Sequence, residues 1–149
     1  MIERNRGGFV DNRIIAVLAA SAVGLLGACS SPEPALGART AEVTVNGEGS
    51  GSKYPVECSQ AGWTWLISTF DEAKPGFSAS IQTGEGVDAH SVQIRDLEGF
   101  TGSFWQGTVG EGKATIANDK ITITGQAEGS FADDPTGEAN ATFRIETRC

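Results

Sequence analysis

Histidine, methionine and tyrosine occur once each in this chain, and cysteine three times. The single histidine, His90, stands in a Gly/Asp-rich stretch with no Gly-x-Ser-x-Gly nearby. Nothing there supports a Ser-His-Asp centre, so His90 reads as a surface residue and no catalytic residue is expected. Two cysteines and one histidine without ligand spacing exclude an ordinary zinc site. Positive charge is scarce as well: 11 Lys and Arg face 19 Asp and Glu, a net of −8. Such a chain repels nucleic-acid phosphate and anionic headgroups, which argues against nucleic-acid binding and against attachment by a basic patch.

Long apolar runs are lacking too, with one exception. Ile14 to Ala28 is 15 residues long, and only Ser21 in it is polar. A spanning helix needs about 20 apolar residues, so the run is short for a permanent span. Arg4, Arg6 and Arg13 precede it, offset in part by Glu3 and Asp11. A basic start, a short apolar stretch and small residues at its end describe a secretory signal. The run closes on Leu26-Gly27-Ala28-Cys29. With Leu26 three positions before a cysteine and the small pair Gly27-Ala28 between, this reads as a lipobox. Cleavage is expected between Ala28 and Cys29, with the Cys29 thiol carrying a diacylglycerol and its freed amine open to a further acyl chain. Each buried CH₂ contributes about 0.8 kcal/mol, and two chains suffice for stable anchoring. No other cofactor is expected.

Residues 1–28 are therefore expected to be a cleaved signal helix, 29–40 a lipidated tether and 41–149 one domain. The signal carries +1, so the remainder carries −9. In the tether, Pro32 and Pro34 favour extended geometry. Lipidation consumes Cys29 and leaves Cys58 and Cys149 in an oxidising compartment, which predicts a disulfide between them.

From Glu42 on the pattern is β. Twenty glycines and few Leu or Met argue for turns and short strands. Alternation predicts strands at Glu42–Asn46 and Tyr54–Cys58, the second at a sheet edge because of Pro55. Trp63–Phe70 is apolar on both faces, which suggests a covered central strand or a short helix. Further strands are expected at Phe77–Ile81 and Ser91–Arg95, joined by Gly84–His90, and as pieces within Phe100–Val109. Lys113–Gly125 is the clearest hairpin. With Asn118-Asp119 as its turn, Ile116 falls opposite Ile121 and Ala114 opposite Ile123, all on one face. Asp133–Gly137 reads as a turn before a last strand, Ala139–Cys149. About eight short strands define an all-β fold, a small β-sandwich or partly closed antiparallel barrel.

The order of features resembles the mycobacterial 19-kDa lipoprotein antigen family. The resemblance rests on the lipobox, the polar tether and Val56-Glu57-Cys58. It rests further on Ile123-Thr124-Gly125-Gln126-Ala127-Glu128-Gly129 and the ending Phe143-Arg144-Ile145-Glu146-Thr147-Arg148-Cys149. Two departures stand out: the tether has few threonines for O-glycosylation, and Trp63–Phe70 is richer in aromatics. The resemblance implies an exposed, immunogenic envelope lipoprotein with no enzyme activity.

Other candidates read as ordinary surface. Asp71-Glu72, Asp133-Asp134 and Asp96/Glu98 follow no calcium-loop spacing and suit solvated turns. Asn140-Ala141-Thr142 matches a glycosylation sequon inside an expected strand. Trp63, Trp65, Phe100, Phe104 and Trp105 either form core or line a pocket for an apolar ligand. Two functions follow as expectations. The first is a monomeric, non-enzymatic lipoprotein on the outer face of the membrane, with a host lipopeptide receptor or an envelope component as partner. The second is a carrier of an envelope lipid or other apolar molecule, with Trp63, Trp65, Phe104 and Trp105 as contacts.

Overall fold

The structure is a computed structural model that describes residues 39–49 and 51–149. The expected signal, the lipobox and most of the tether lie outside those residues. Nine strands follow in order: β1 (Thr40–Val45), β2 (Lys53–Ala61), β3 (Thr64–Thr69), β4 (Gly76–Thr83), β5 (Val87–Leu97), β6 (Phe100–Trp105), β7 (Glu111–Ala117), β8 (Lys120–Phe131) and β9 (Asp134–Thr147). No described residue is helical. Several strands are longer than the short pieces expected, up to 14 residues in β9.

All neighbours are antiparallel, in the order β6-β5-β4-β3-β2-β1-β9-β8-β7. The sheet curls until β6 meets β8, with Phe100 opposite Phe131 and Ser103 opposite Glu128. One edge of β8 is thereby divided. Its first half, Lys120–Gln126, pairs with β7, and its second half with β6. The result is a partly closed barrel with β7 as a flap.

Alternation fills its interior. Val43, Val45, Ile67, Phe77, Ile81, Val92, Ile94, Phe100, Phe104, Ile123, Phe143 and Ile145 all point inward and are buried. Burying each large side chain contributes about 1.5–3 kcal/mol. Close aromatic contacts, Phe100 with Phe131 at 5.2 Å and Phe104 with Phe143 at 6.3 Å, span the closure. Glycine makes this possible: a Cβ on Gly112 would strike the Phe104 ring, and one on Gly125 would meet the Glu111 carbonyl and Phe143.

The expected hairpin holds to the residue. Ala114 faces Ile123 and Ile116 faces Ile121. Asn118 and Asp119 take φ of 51° and 62°, the left-handed pair of a tight primed turn. Other expectations need correction. Segment 63–70 is neither a helix nor a strand covered on both faces. Trp65 and Ile67 face the core, whereas Leu66 and Phe70 face solvent and Trp63 sits in the β2–β3 turn. Gly84–His90 is not all connector, because β5 begins at Val87. Asp133–Gly137 is not all turn, because β9 begins at Asp134.

Pro55 does not mark an edge either, since β2 pairs with both β1 and β3. The Val56 N–H donates to the Arg39 carbonyl on the β1 side. By alternation the missing N–H of Pro55 faces the β3 side, where the paired register has already ended at Thr69. Thr69 closes that end. Its Oγ1 accepts from the Phe77 N–H and from Arg95 Nη2 (3.1 Å), and donates to the Phe77 carbonyl.

Candidate functional site

Chemistry-bearing side chains gather where the chain joins the barrel. β1 rises from Thr40, β9 ends beside it (Ala41 opposite Thr147), and β8 starts next to β9 (Ile121 opposite Thr147). Below Thr40 there is no β1 left to separate β2 from β9. There Cys58 bonds Cys149, with 5.9 Å between Cα atoms. Two strands flanking a third normally stand about 9.6 Å apart, so the disulfide pinches the barrel shut under the start of β1.

Outward residues around this seam are charged. Lys120 Nζ lies 2.8 Å and Arg144 Nη2 2.6 Å from Glu146 Oε1. Lys53 lies 3.7 Å from Glu42. The hydrogen bond from Lys120, then that from Arg144, holds the Glu146 carboxyl below its ordinary value. Arg39, Lys53, Lys120 and Arg148 line a surface groove of about 430 Å³ with Glu42 and Glu146. This cluster can hold ions and polar groups, but it contains no nucleophile with a base beside it. Composition gave no sign of it, because the cations come from four separate strands and flanks.

The aromatic candidates do not converge. Phe104 is core, and Trp65 packs against the core. Trp63 and Trp105 stand outside, 70% and 52% exposed. Surface apolar character appears elsewhere, in a groove of about 490 Å³ lined by Tyr54, Pro55, Thr69, Phe70, Asp71, Lys74 and Pro75.

His90 is half-buried at the irregularity of β5, its carbonyl accepting from the Gln106 N–H. Asp71 caps its own turn: the Ala73 N–H donates to Oδ1 at 3.0 Å and Lys74 lies 3.2 Å away, and in that order they lower its pKa. Asp134 accepts from the Gly137 N–H in the same manner. Asn140 lies within β9, so the sequon is in a strand. Among the described residues no group of three or more His, Cys, Asp or Glu could hold a metal ion. Cys29 and Leu26–Ala28 lie outside the described residues.

Fold and site together define a small, disulfide-closed antiparallel barrel with a charged groove beside the start of β1. Residues 34–149 match the family described as Mycobacterium 19 kDa lipoprotein antigen, and the chain belongs to that family. It is 39% identical over 141 residues to a putative lipoprotein of Mycobacterium avium subsp. hominissuis (strain TH135), covering 94% of this chain and 97% of the relative. A putative lipoprotein of Mycobacterium indicus pranii is 36% identical over 138 residues, covering 93% and 99%. The probable lipoprotein LppE of Mycobacterium tuberculosis is 28% identical over 140 residues, again covering 93% and 99%.

Proposed function

We propose that this chain is a non-enzymatic lipoprotein, held on the outer face of the cell membrane through a diacylglyceryl Cys29. Its barrel acts as a monomeric, exposed antigen and interaction module. The observation that carries this reading is a lipobox, Leu26-Gly27-Ala28-Cys29, standing directly before a domain of a lipoprotein family. The acylated amino terminus is then the group a host lipopeptide receptor meets. The test is Cys29→Ala with an alkyne-tagged fatty acid fed to the cells. The wild type takes up label and stays with membranes. The variant takes up none, leaves the membrane fraction and no longer stimulates the receptor. Unchanged stimulation by the variant would defeat the proposal.

The carrier reading is supported by two surface grooves, one of about 490 Å³ beside Phe70 and one of about 700 Å³ that reaches Phe104 between β6, β7 and β8. Native mass spectrometry of the purified full chain tests it. A bound mass that leaves on denaturation supports a carrier, and a bare chain argues against one.

A further inference from the structure

The outer surface of the barrel is divided by chemistry. On β1, β8 and β9 the outward positions include Glu42, Lys120, Arg144 and Glu146. On β3 to β6 they are mostly serine and glutamine. Register places Leu66, Ser80, Ser91 and Trp105 on one line across four adjacent strands. The next line carries Ser68, Ser78, Gln93 and Ser103 in the same strands.

Leu66 is 50% exposed, and Trp105 also stands out into solvent. Between them lie only the short side chains of Ser80 and Ser91. Adjacent strands are about 4.8 Å apart, so the two ridges stand about 14 Å apart along the sheet. Together they flank a trough across β4 and β5, floored by hydroxyls, one amide and the half-buried His90 beside Ser91. Its charges are marginal: Glu57 pairs opposite Ser68 at one side, Asp88 opposite Gln82 at the lower end, and Arg95 opposite Gly76 at the upper end.

The backbone at Trp105 is held on both sides. Its N–H donates to the Val109 carbonyl (2.8 Å), and its carbonyl accepts from the Thr108 and Val109 N–H groups. The neighbouring Gln106 N–H donates to the His90 carbonyl. These bonds fix the backbone at Trp105 and so set where its exposed, amphipathic indole leaves the sheet, a ready contact surface.

We infer that this trough binds a neutral polysaccharide. Sugar rings present C–H faces that stack on an indole and hydroxyl edges that exchange hydrogen bonds with serine and glutamine. A floor without Lys or Arg offers little to a polyanion, and apolar residues spaced singly do not form the continuous patch a lipid surface requires. The inference is independent of lipidation, since it uses only the barrel wall.

Affinity electrophoresis of the detergent-solubilised full chain tests it, with mannan, dextran and arabinogalactan cast in the gel and polygalacturonate as the charged comparison. At least one neutral polymer is expected to retard the protein. Trp105→Ala should weaken that retardation up to roughly tenfold, the size of one stacking contact. Trp105→Phe should recover part of it, and Ser91→Glu should remove it. Thermal melting within a few degrees of wild type verifies that the variants fold. Three outcomes would overturn the inference: no retardation by any neutral polymer, equal retardation by polygalacturonate, or wild-type behaviour of both Trp105→Ala and Ser91→Glu.

Discussion

Cys58 and Cys149 are joined beneath Thr40, where β1 begins and β2 and β9 would otherwise gape. The bond continues the wall of the barrel by covalent means where hydrogen bonds have run out. The loop it closes spans a sequence separation of 91. In the chain-entropy account, a loop of that size contributes about 4–5 kcal/mol. Cys58→Ser with Cys149→Ser is therefore expected to lower the unfolding free energy by up to that amount in urea titration. A loss within error of zero would mean that the ladders alone hold the seam.

Glu146 makes stability depend on acid. Its folded pKa lies below the ordinary 4.5 because Lys120 and Arg144 both hydrogen-bond its charged form. A lowered folded pKa contributes stability that is present above the unfolded value and is lost as pH falls through the folded one. Denaturation midpoints measured from neutral pH down to about 2 should therefore fall less steeply below 4.5 in Glu146→Gln than in the wild type. Parallel curves would remove Glu146 from the account.

Two glycines should respond differently to alanine. A methyl on Gly125 would overlap the Glu111 carbonyl and crowd Phe143, so both β7 and the core must shift. Gly125→Ala is expected to cost about 1–3 kcal/mol or more. Gly107 has φ of 74° and nothing within 4 Å, so Gly107→Ala meets only backbone strain of about 1–2 kcal/mol. Thermal melts of the two variants side by side decide whether crowding or strain dominates.

The β7–β8 turn can be improved. Asp119 holds φ of 62° with a side chain that disfavours it. Asp119→Gly gives Asn-Gly, the pair that suits a primed turn best. Relief of strain is offset by the greater entropy of glycine in the unfolded chain. The net expectation is a gain of a few tenths to about 1 kcal/mol, read as a higher melting temperature. A lower one would mean that the Asp119 side chain contributes something its turn geometry does not reveal.

The sequence made some of this architecture legible and hid other parts for identifiable reasons. Alternation revealed the register at Ala114/Ile123 and Ile116/Ile121, although Ile116 itself stays 42% exposed on β7. The cysteine pair was legible by counting once Cys29 was set aside. The start of β5 was not. Its inward residues are Val87, Ala89, Val92 and Ile94, and the shift between Ser80 and Ile81 inserts an extra residue on β5 after Ala89. That extra residue breaks the period-two pattern. The first half of β9 was hidden because Asp134–Asn140 has no buried side chain to mark a face. Net charge also misled. The chain is acidic, yet Arg39, Lys53, Lys120 and Arg148 share one groove, a grouping created by strand order rather than by sequence proximity. Ser80 and Ser91 passed unnoticed because serine on a strand is ordinary until its cross-strand neighbours are known.

The pinch beneath β1 also has a mechanical meaning. A pull along the axis of β1 loads a strand that is bonded on both sides, to β2 and to β9. Force in that direction slides the strand past its neighbours and strains its ladder bonds together, rather than peeling them one after another. The Thr147 hydroxyl, which donates to the Thr40 carbonyl at 2.9 Å, and the Asn46 side chain, which accepts from the Thr142 N–H, hold β1 at its two ends. The strands that grip it cannot spread, because Cys58 and Cys149 rivet them below the point of attachment. The entrance to the barrel at β1 is thus closely cross-linked: two ladders, a bond at each end and a disulfide below its start surround one strand.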